Sequence, residues 1–374
     1  MSKMVSKNVM ILGGYGGAGF NIAQLLLQET RVNLILTGRN SKKASKVAAQ
    51  LNAQYDGDRV RGMEVDATNA GALHEAFQHC DTVVVCVPIT ASKIGDRVVQ
   101  AAFDVGINYV DINLDTHKQQ LLQELSTQIR DSGHYFLTEA GFMPGLPSMM
   151  AFLAAERLDS IRSLQFGMLE KENNGGYGSA IDLLYYAADP ANIYQRGAWR
   201  KVSPTASRKI DFGPGFGKLT CYPMDLYELK RLPEELRAEE IGFYAAGMNP
   251  VTDLVLFAWV ASGLYKFDWG LRMGAKLGIW TVNKFTKPPY ITTLVLEVRG
   301  KVNQHEEFLE INISHHNGYQ ATAIPVVASI LQLLDGTIAE PGVIISGHRV
   351  EANRYVKDLR RMGMTVQIQP RGAA

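Results

Sequence analysis

Two kinds of hydrophobic pattern alternate along the first 140 residues. Short runs rich in β-branched residues are followed by stretches with apolar positions three and four apart. The runs predict strands at residues 8–12 and in "VNLILTG", "RVRGMEVDA", "DTVVVCVP", "NYVDIN" and "HYFLTEAG". The intervening stretches predict helices over 17–28, in "SKKASKVAAQLNAQ" with Ser41 as N-cap, and in "AGALHEAFQHC", "IGDRVVQAAFDVG" and "THKQQLLQELSTQIRDSG". The fourth run is apolar without alternation, as a parallel strand buried on both faces should be. Strand and helix in strict turn predict an α/β fold, a doubly wound parallel sheet.

The rhythm changes after Gly145. Connections lengthen, and "SRKIDFGPGFGKLTCYP" is rich in Gly and Pro. "TTLVLEVRGK" and "EEFLEINISHH" alternate with period two and predict an antiparallel pair with one buried face. The expected organisation is a dinucleotide-binding domain over 1–145 and an inserted α+β domain over 146–320, for substrate or dimerisation. A C-terminal segment, 321–374, is expected to pack back and complete the first domain. That segment reads as a long helix from Ala321, the strand "GVIISG", a helix over 351–361 and a strand near 364–369.

Glycines dominate the first turn. Gly14, Gly16 and Gly19 spell G-x-G-x-x-G between a predicted strand and a predicted helix. In that context the first Gly allows the tight turn, the second lets backbone approach a pyrophosphate, and the third lets helix and sheet pack closely. A simple tight turn is the alternative. An NAD site usually carries Asp or Glu about 20 residues on, at the end of the second strand. Here that strand ends "TGRN": Gly38 stands at the acid's position, and Arg39, Lys42 and Lys43 follow. A guanidinium without an acid suits a 2′-phosphate, so NADP is expected over NAD. Asp66 ends the third strand, facing an adenine edge or capping the next helix. Val87 and Pro88 end the fourth strand, over the crevice where such sheets bind ligands.

Composition narrows the function classes. The 374 residues are 46% hydrophobic and 20% charged, with net charge +1, so nothing in the overall charge favours nucleic acid or an anionic membrane. Cys80, Cys86 and Cys221 have no metal-ligand spacing, and the N-terminus lacks the apolar run of a signal peptide, so a cytoplasmic setting is expected. No metal site is expected: His315 and His316 are adjacent in a strand and point to opposite faces. "VTDLVLFAWVASGLY" is shorter than the roughly 18 residues of a spanning helix and carries Asp253. It reads as a buried helix, with a peripheral membrane-associating face as the alternative. Phe257, Trp259, Tyr265, Phe267, Trp269 and Trp280 would line an apolar pocket or pack as core and interface.

Acid/base candidates stand at carboxyl strand ends: Tyr109 and Asp111 in "NYVDIN", His117 soon after, and Glu139 in "LTEAGF". Each has a structural alternative: a core ring, a turn cap, an exposed helix start and a domain-joining loop.

"ILGGYGGAG", "LTGRNSKKA", "CDTVVVCVP", "INYVDIN" and "EAGFMPGLPSMMA" stand in an order that resembles the saccharopine dehydrogenase-like, NADP-binding family. The tail "GVIISGHRVEANRYVKDLRRMGMTV" also resembles the end of such proteins. The resemblance implies a split Rossmann domain and nicotinamide-dependent chemistry, typically reduction of a C=N bond or its reverse. It implies that Gly14, Gly16, Gly17 and Gly19 hold the pyrophosphate, with Tyr15 and Ala18 in the same cofactor-binding turn. Arg39 would meet the 2′-phosphate, Asp66 and Ala67 the adenine, and Val87 and Pro88 would flank the route to the nicotinamide. One departure stands out: members that form saccharopine usually carry an acid before Pro-Gly, and this chain has Met143 before Pro144 and Gly145. The expected function is an NADP-dependent oxidoreductase acting on a small molecule, possible substrates being an imine or amino-acid adduct. An enoyl-type reductase of a lipid-like substrate and a non-catalytic nucleotide-binding module are the alternatives. The expected assembly is a homo-oligomer, in its simplest form a homodimer.

Overall fold

The computed structural model describes residues 7–87, 94–172, 176, 177, 180, 181, 184, 190–203 and 206–370. The chain forms two compact units: residues 1–146 with 322–351, and residues 147–321 with 352–374.

In the first unit the predicted alternation is realised. Strands β1 (Asn8–Leu12), β2 (Asn33–Gly38), β3 (Val60–Glu64), β4 (Thr82–Val85), β5 (Asn108–Asp111) and β6 (Tyr135–Thr138) are joined by helices α1 (Gly17–Glu29), α2 (Ser41–Gln54), α3 (Ala70–Phe77), α4 (Ile94–Val105), α5 (Thr116–Glu124) and α6 (Ser126–Asp131). With a later strand, Gly342–Ile345, they make a seven-stranded parallel sheet. In strand numbers its order is 6-5-4-1-2-3, with the later strand beside β6. The strand order reverses between β1 and β4, the switch point outside which open parallel sheets bind ligands. Apolar β-branched strands pay no penalty here because helices cover both faces, and Met10, Leu12, Val83, Val85, Tyr109 and Phe136 share one buried cluster.

Two local expectations are corrected. Asn40, not Ser41, caps α2, accepting from the Lys43 N–H at 2.9 Å. The stretch 116–133 divides into α5 and α6 at Leu125, which is common to both helix ends.

The second unit opens with α7 (Leu146–Ala155) and centres on β7 (Ser160–Lys171), a long strand not anticipated from the sequence. The further strands are β8 (Asn192–Gln195), β9 (Ala198–Lys201), β10 (Arg208–Asp211), β11 (Lys218–Pro223), β12 (Glu240–Ala246), β13 (Ile291–Val302), β14 (His305–His315), β15 (Gly342–Ile345, in the first sheet) and β16 (Thr365–Pro370). The second sheet runs β10-β11-β12-β7-β13-β14-β16, with β8 and β9 attached at β12. β13 and β14 are the predicted antiparallel pair. Asn303 and Gln304, both at positive φ, make the two-residue turn that the strand twist favours.

The C-terminal segment is therefore divided. Helix Gly318–Leu334 falls mostly in the first unit, along with β15. Helix Ala352–Arg361 and β16 fall in the second, where β16 pairs with β14 from Leu309↔Pro370 to Ser314↔Thr365. The expectation that all of 321–374 completes the first domain is corrected for its last part, whose strand β16 pairs with β14 at the edge of the second sheet instead.

The expected buried helix at 251–265 is also corrected. Helix Pro250–Ser262 buries only Thr252 completely and leaves Val251, Leu254 and Phe257 exposed.

A candidate dinucleotide site

The glycine turn stands at the carboxyl end of β1, beside the point of reversal. The N–H groups of Gly13 and Gly14 both donate to the Thr37 carbonyl at 3.0 Å, which ties the turn to β2. Gly16 caps α1 with no side-chain bond, and the first turn holds no acid. The N–H groups of Gly17, Ala18 and Gly19 thus have no acceptor within the helix, and Gly16 and Gly17 are exposed. This is an anion-binding arrangement, reinforced by the positive end of the helix dipole. Gly19 is obligatory: a Cβ there would run into the carbonyl of Gly13.

Gly38 has a reason that sequence alone did not give. A Cβ at this position would lie 2.5 Å from the Tyr15 ring. Tyr15 lies across the end of β2, and its hydroxyl accepts from the Asn40 N–H at 3.2 Å. The aromatic ring fills the space an acidic side chain would need. Arg39, next along, is exposed. Asp66 is exposed as well and does not cap α3; Asn69 does, accepting from the Ala72 N–H. Asp66 accepts from the N–H and hydroxyl of Thr68 at 2.9 and 2.8 Å. These bonds hold its carboxyl below the usual range, and the Arg39 charge adds to the effect. Ala67 is buried in the apolar cluster. Val87 touches the Gly13 turn, its Cγ1 lying where a Cβ on Gly13 would approach to 3.0 Å. Pro88 lies outside the described residues.

A second group of polar residues gathers at the carboxyl ends of β5 and β6. Asp111 is fully buried, and Lys118, equally buried, donates to its Oδ1 at 2.8 Å. The same carboxylate accepts from the Thr138 hydroxyl at 2.9 Å and from the N–H groups of Asn113 and Glu139 at 2.9 and 3.3 Å. Gln119 donates to Thr138, extending the network. An ion pair so deep is stable only when its remaining hydrogen-bonding capacity is met, as it is here. Asp111 is therefore an anchor for the strand ends. Glu139 is fully buried and takes a left-handed backbone, φ 57, a conformation that costs a non-glycine residue roughly 1–3 kcal/mol. Its N–H bond to Asp111 helps hold it there.

Of the other candidates, Tyr109 is a core ring stacked on Phe136 at 5.4 Å, its hydroxyl pushed well above the usual range by burial and then by Asp111. His117 is an exposed helix-start residue whose N–H is held by Asp115. Sequence reading missed Lys118 and Asn113. Asn113 donates to the Val87 carbonyl at 3.1 Å, while its own Oδ1 is buried without a partner among the described residues. That orphaned acceptor lies beside Val87, the glycine turn's neighbour. Lys118 left no periodic signal, because a strand end, a loop and a helix start separate it from Asp111. Among the described residues no group of three or more His, Cys, Asp or Glu could hold a metal ion.

Residues 9–136 match the family model described as the saccharopine dehydrogenase NADP binding domain. No curated protein matches the chain. Among solved structures, the chain is similar to saccharopine dehydrogenase (L-Glu forming) from Saccharomyces cerevisiae. The TM-score is 0.72 at 16% identity, over 98% of this chain and 100% of that one. It is also similar to the DAP dehydrogenase of C. glutamicum in complex with DAP, at TM-score 0.50 and 13% identity, over 96% of this chain and 99% of that one. At these identities the likeness shows the fold. The NADP-binding character rests on the domain match.

Proposed function

We propose that this chain, a member through residues 9–136 of the saccharopine dehydrogenase-like, NADP-binding family, is an NADP-dependent oxidoreductase. It moves a hydride to or from a small organic substrate, for which a C=N bond in an imine or amino-acid adduct is the proposed class. The observation that carries the reading is the end of β2. Tyr15 occupies the acid's place at Gly38, and Arg39 stands exposed beside it, available to a 2′-phosphate. The residues present fit the cofactor: uncapped N–H groups at Gly17, Ala18 and Gly19 for the pyrophosphate, Arg39 for the 2′-phosphate, Asp66 and Ala67 toward the adenine, and Val87 near the nicotinamide route. When bound, NADPH supplies the hydride. Asp111, Lys118 and Thr138 hold the strand ends rigid, and Glu139 is the proposed proton donor or acceptor, set by its backbone at the end of β6.

The test is the affinity of the purified protein for NADPH and NADH, with Arg39→Ala alongside. Loss of a charge-assisted contact of about 1.5–3 kcal/mol should weaken NADPH binding roughly 10- to 100-fold and leave NADH unchanged. Equal affinity for both nucleotides, unaltered by the substitution, would remove the cofactor assignment. NADPH oxidation with cyclic imines and with enoyl thioesters then separates the proposed substrate class from the lipid-like alternative.

A further inference from the structure

Nine large hydrophobic side chains are exposed among the described residues, and eight of them lie between Val251 and Phe285. This stretch is a helical hairpin. Helix Pro250–Ser262 turns at Gly263 and returns as helix Asp268–Phe285. Its inner seam is well made. The Trp259 indole donates to the Gly270 carbonyl at 3.1 Å, Thr252 bonds Thr281 at 3.1 Å, and Leu271 and Ala275 are buried beside Leu256. The hairpin thus has a satisfied inside, and its outside is a distinct surface.

That outside is apolar and cationic together. On the return helix Trp269, Met273, Lys276 and Trp280 recur at intervals of four, three and four, which puts them on one stripe. Trp269 is 55% exposed and Trp280 53%. Arg272 and Lys284 flank the stripe, and Lys284 sits 4.8 Å over the Trp280 ring. On the first helix Val251, Leu254, Phe257, Ala258 and Ala261 form an exposed face without a charge. From Pro250 to Lys287 there are five cations, Lys266, Arg272, Lys276, Lys284 and Lys287, all exposed, against Asp253 and Asp268. The net charge of +3 exceeds that of the whole chain, +1. Asp253 is turned to its own backbone, accepting from the Met248 N–H at 2.9 Å.

We infer that this hairpin lies on an anionic lipid surface. Tryptophan with flanking lysine is the side-chain chemistry of the membrane interface: the rings enter the headgroup boundary and the ammonium groups reach back to lipid phosphates. The charge pattern decides against a second copy of the chain. A two-fold contact through this face would gather its five exposed cations from each copy with only Asp268 exposed to answer them, and charged lysine is depleted from interface cores. No helix among the described residues is long and apolar enough to cross a membrane, so the hairpin rests on the surface.

The experiment is co-sedimentation of the full chain with phosphatidylcholine vesicles, with and without a quarter phosphatidylglycerol, paired with light-scattering mass measurement of the free protein. Expected are binding to the anionic vesicles, a blue shift of tryptophan emission, and release by 0.5 M salt. Lys276→Glu/Lys284→Glu should lower partitioning about 30-fold or more, from the loss of two cations near the surface. Trp269→Ser/Trp280→Ser should abolish it, with far-ultraviolet circular dichroism and NADPH affinity unchanged. Wild-type protein that stays in the supernatant with anionic vesicles overturns the inference. So does a wild-type dimer that the tryptophan variant converts to monomer while vesicle binding is absent, since a second copy then covers the face.

Discussion

Lys118→Met is the most informative substitution in the first unit. It removes the cation paired with Asp111 and keeps a side chain of similar length. Both members of the pair are wholly buried, and Nζ lies 2.8 Å from Oδ1. After the change Asp111 keeps the Thr138 hydroxyl and the N–H groups of Asn113 and Glu139, but its charge has no counter-charge in a dry site. Breaking such a pair costs about 3–5 kcal/mol. For a unit of this size each kcal/mol moves the melting temperature by about 2–4 °C, so a fall of roughly 6–20 °C is expected. The double variant Asp111→Asn/Lys118→Met removes the stranded charge and should recover most of the loss. Calorimetry and far-ultraviolet circular dichroism read the change. All four tryptophans, Trp199, Trp259, Trp269 and Trp280, lie in the second unit, so their fluorescence gives a comparison within the same sample. A single variant within about 2 °C of wild type, or a double variant no better than the single, would refute the argument from a buried, uncompensated charge.

Two further outcomes follow from the geometry. Gly38→Asp, the usual exchange toward NAD, should not improve NADH binding, because its Cβ meets the Tyr15 ring at 2.5 Å. NADPH affinity should fall about tenfold by overpacking, and titration calorimetry that found tighter NADH binding would contradict this. Glu170, near the end of β7, is pushed up from 4.5 to about 7 by burial and then by Glu172. The folded form therefore binds the extra proton. The stability this gives is fully present below about pH 4.5 and is lost as pH rises through 7. Urea midpoints of wild type should fall over that window relative to Glu170→Gln, and parallel curves for the two would remove the assignment.

Much of the nucleotide half of the molecule could be read in one dimension. Strand–turn–helix periodicity and the Gly14, Gly16, Gly19 spacing are local signals. Local backbone geometry forces them into one arrangement, since only a residue without Cβ can sit against the Gly13 carbonyl. The β13–β14 hairpin was legible for the same reason, its alternation and two-residue turn being neighbours in sequence. What the sequence could not disclose depends on pairings between distant residues. β7 shows no clean alternation because it is buried on both faces at the centre of its sheet, between β12 and β13. The last strand resembled a completion of the first unit until the open edge of β14 claimed it.

The same division holds at the site and on the surface. Sequence determined that a G-x-G-x-x-G turn joins strand to helix and that no acid ends the next strand, because both are matters of residue type at fixed spacing. Only the tertiary structure decided that Tyr15 takes the acid's place, that Asp111 is an anchor paired with Lys118, and that Glu139 is held left-handed. It also decided which side of the 250–285 hairpin faces outward. Apolar content is a property of the chain, whereas burial depends on what the fold brings against it. Here the fold supplied partners for Leu271 and Ala275 and left Trp269 and Trp280 in the open.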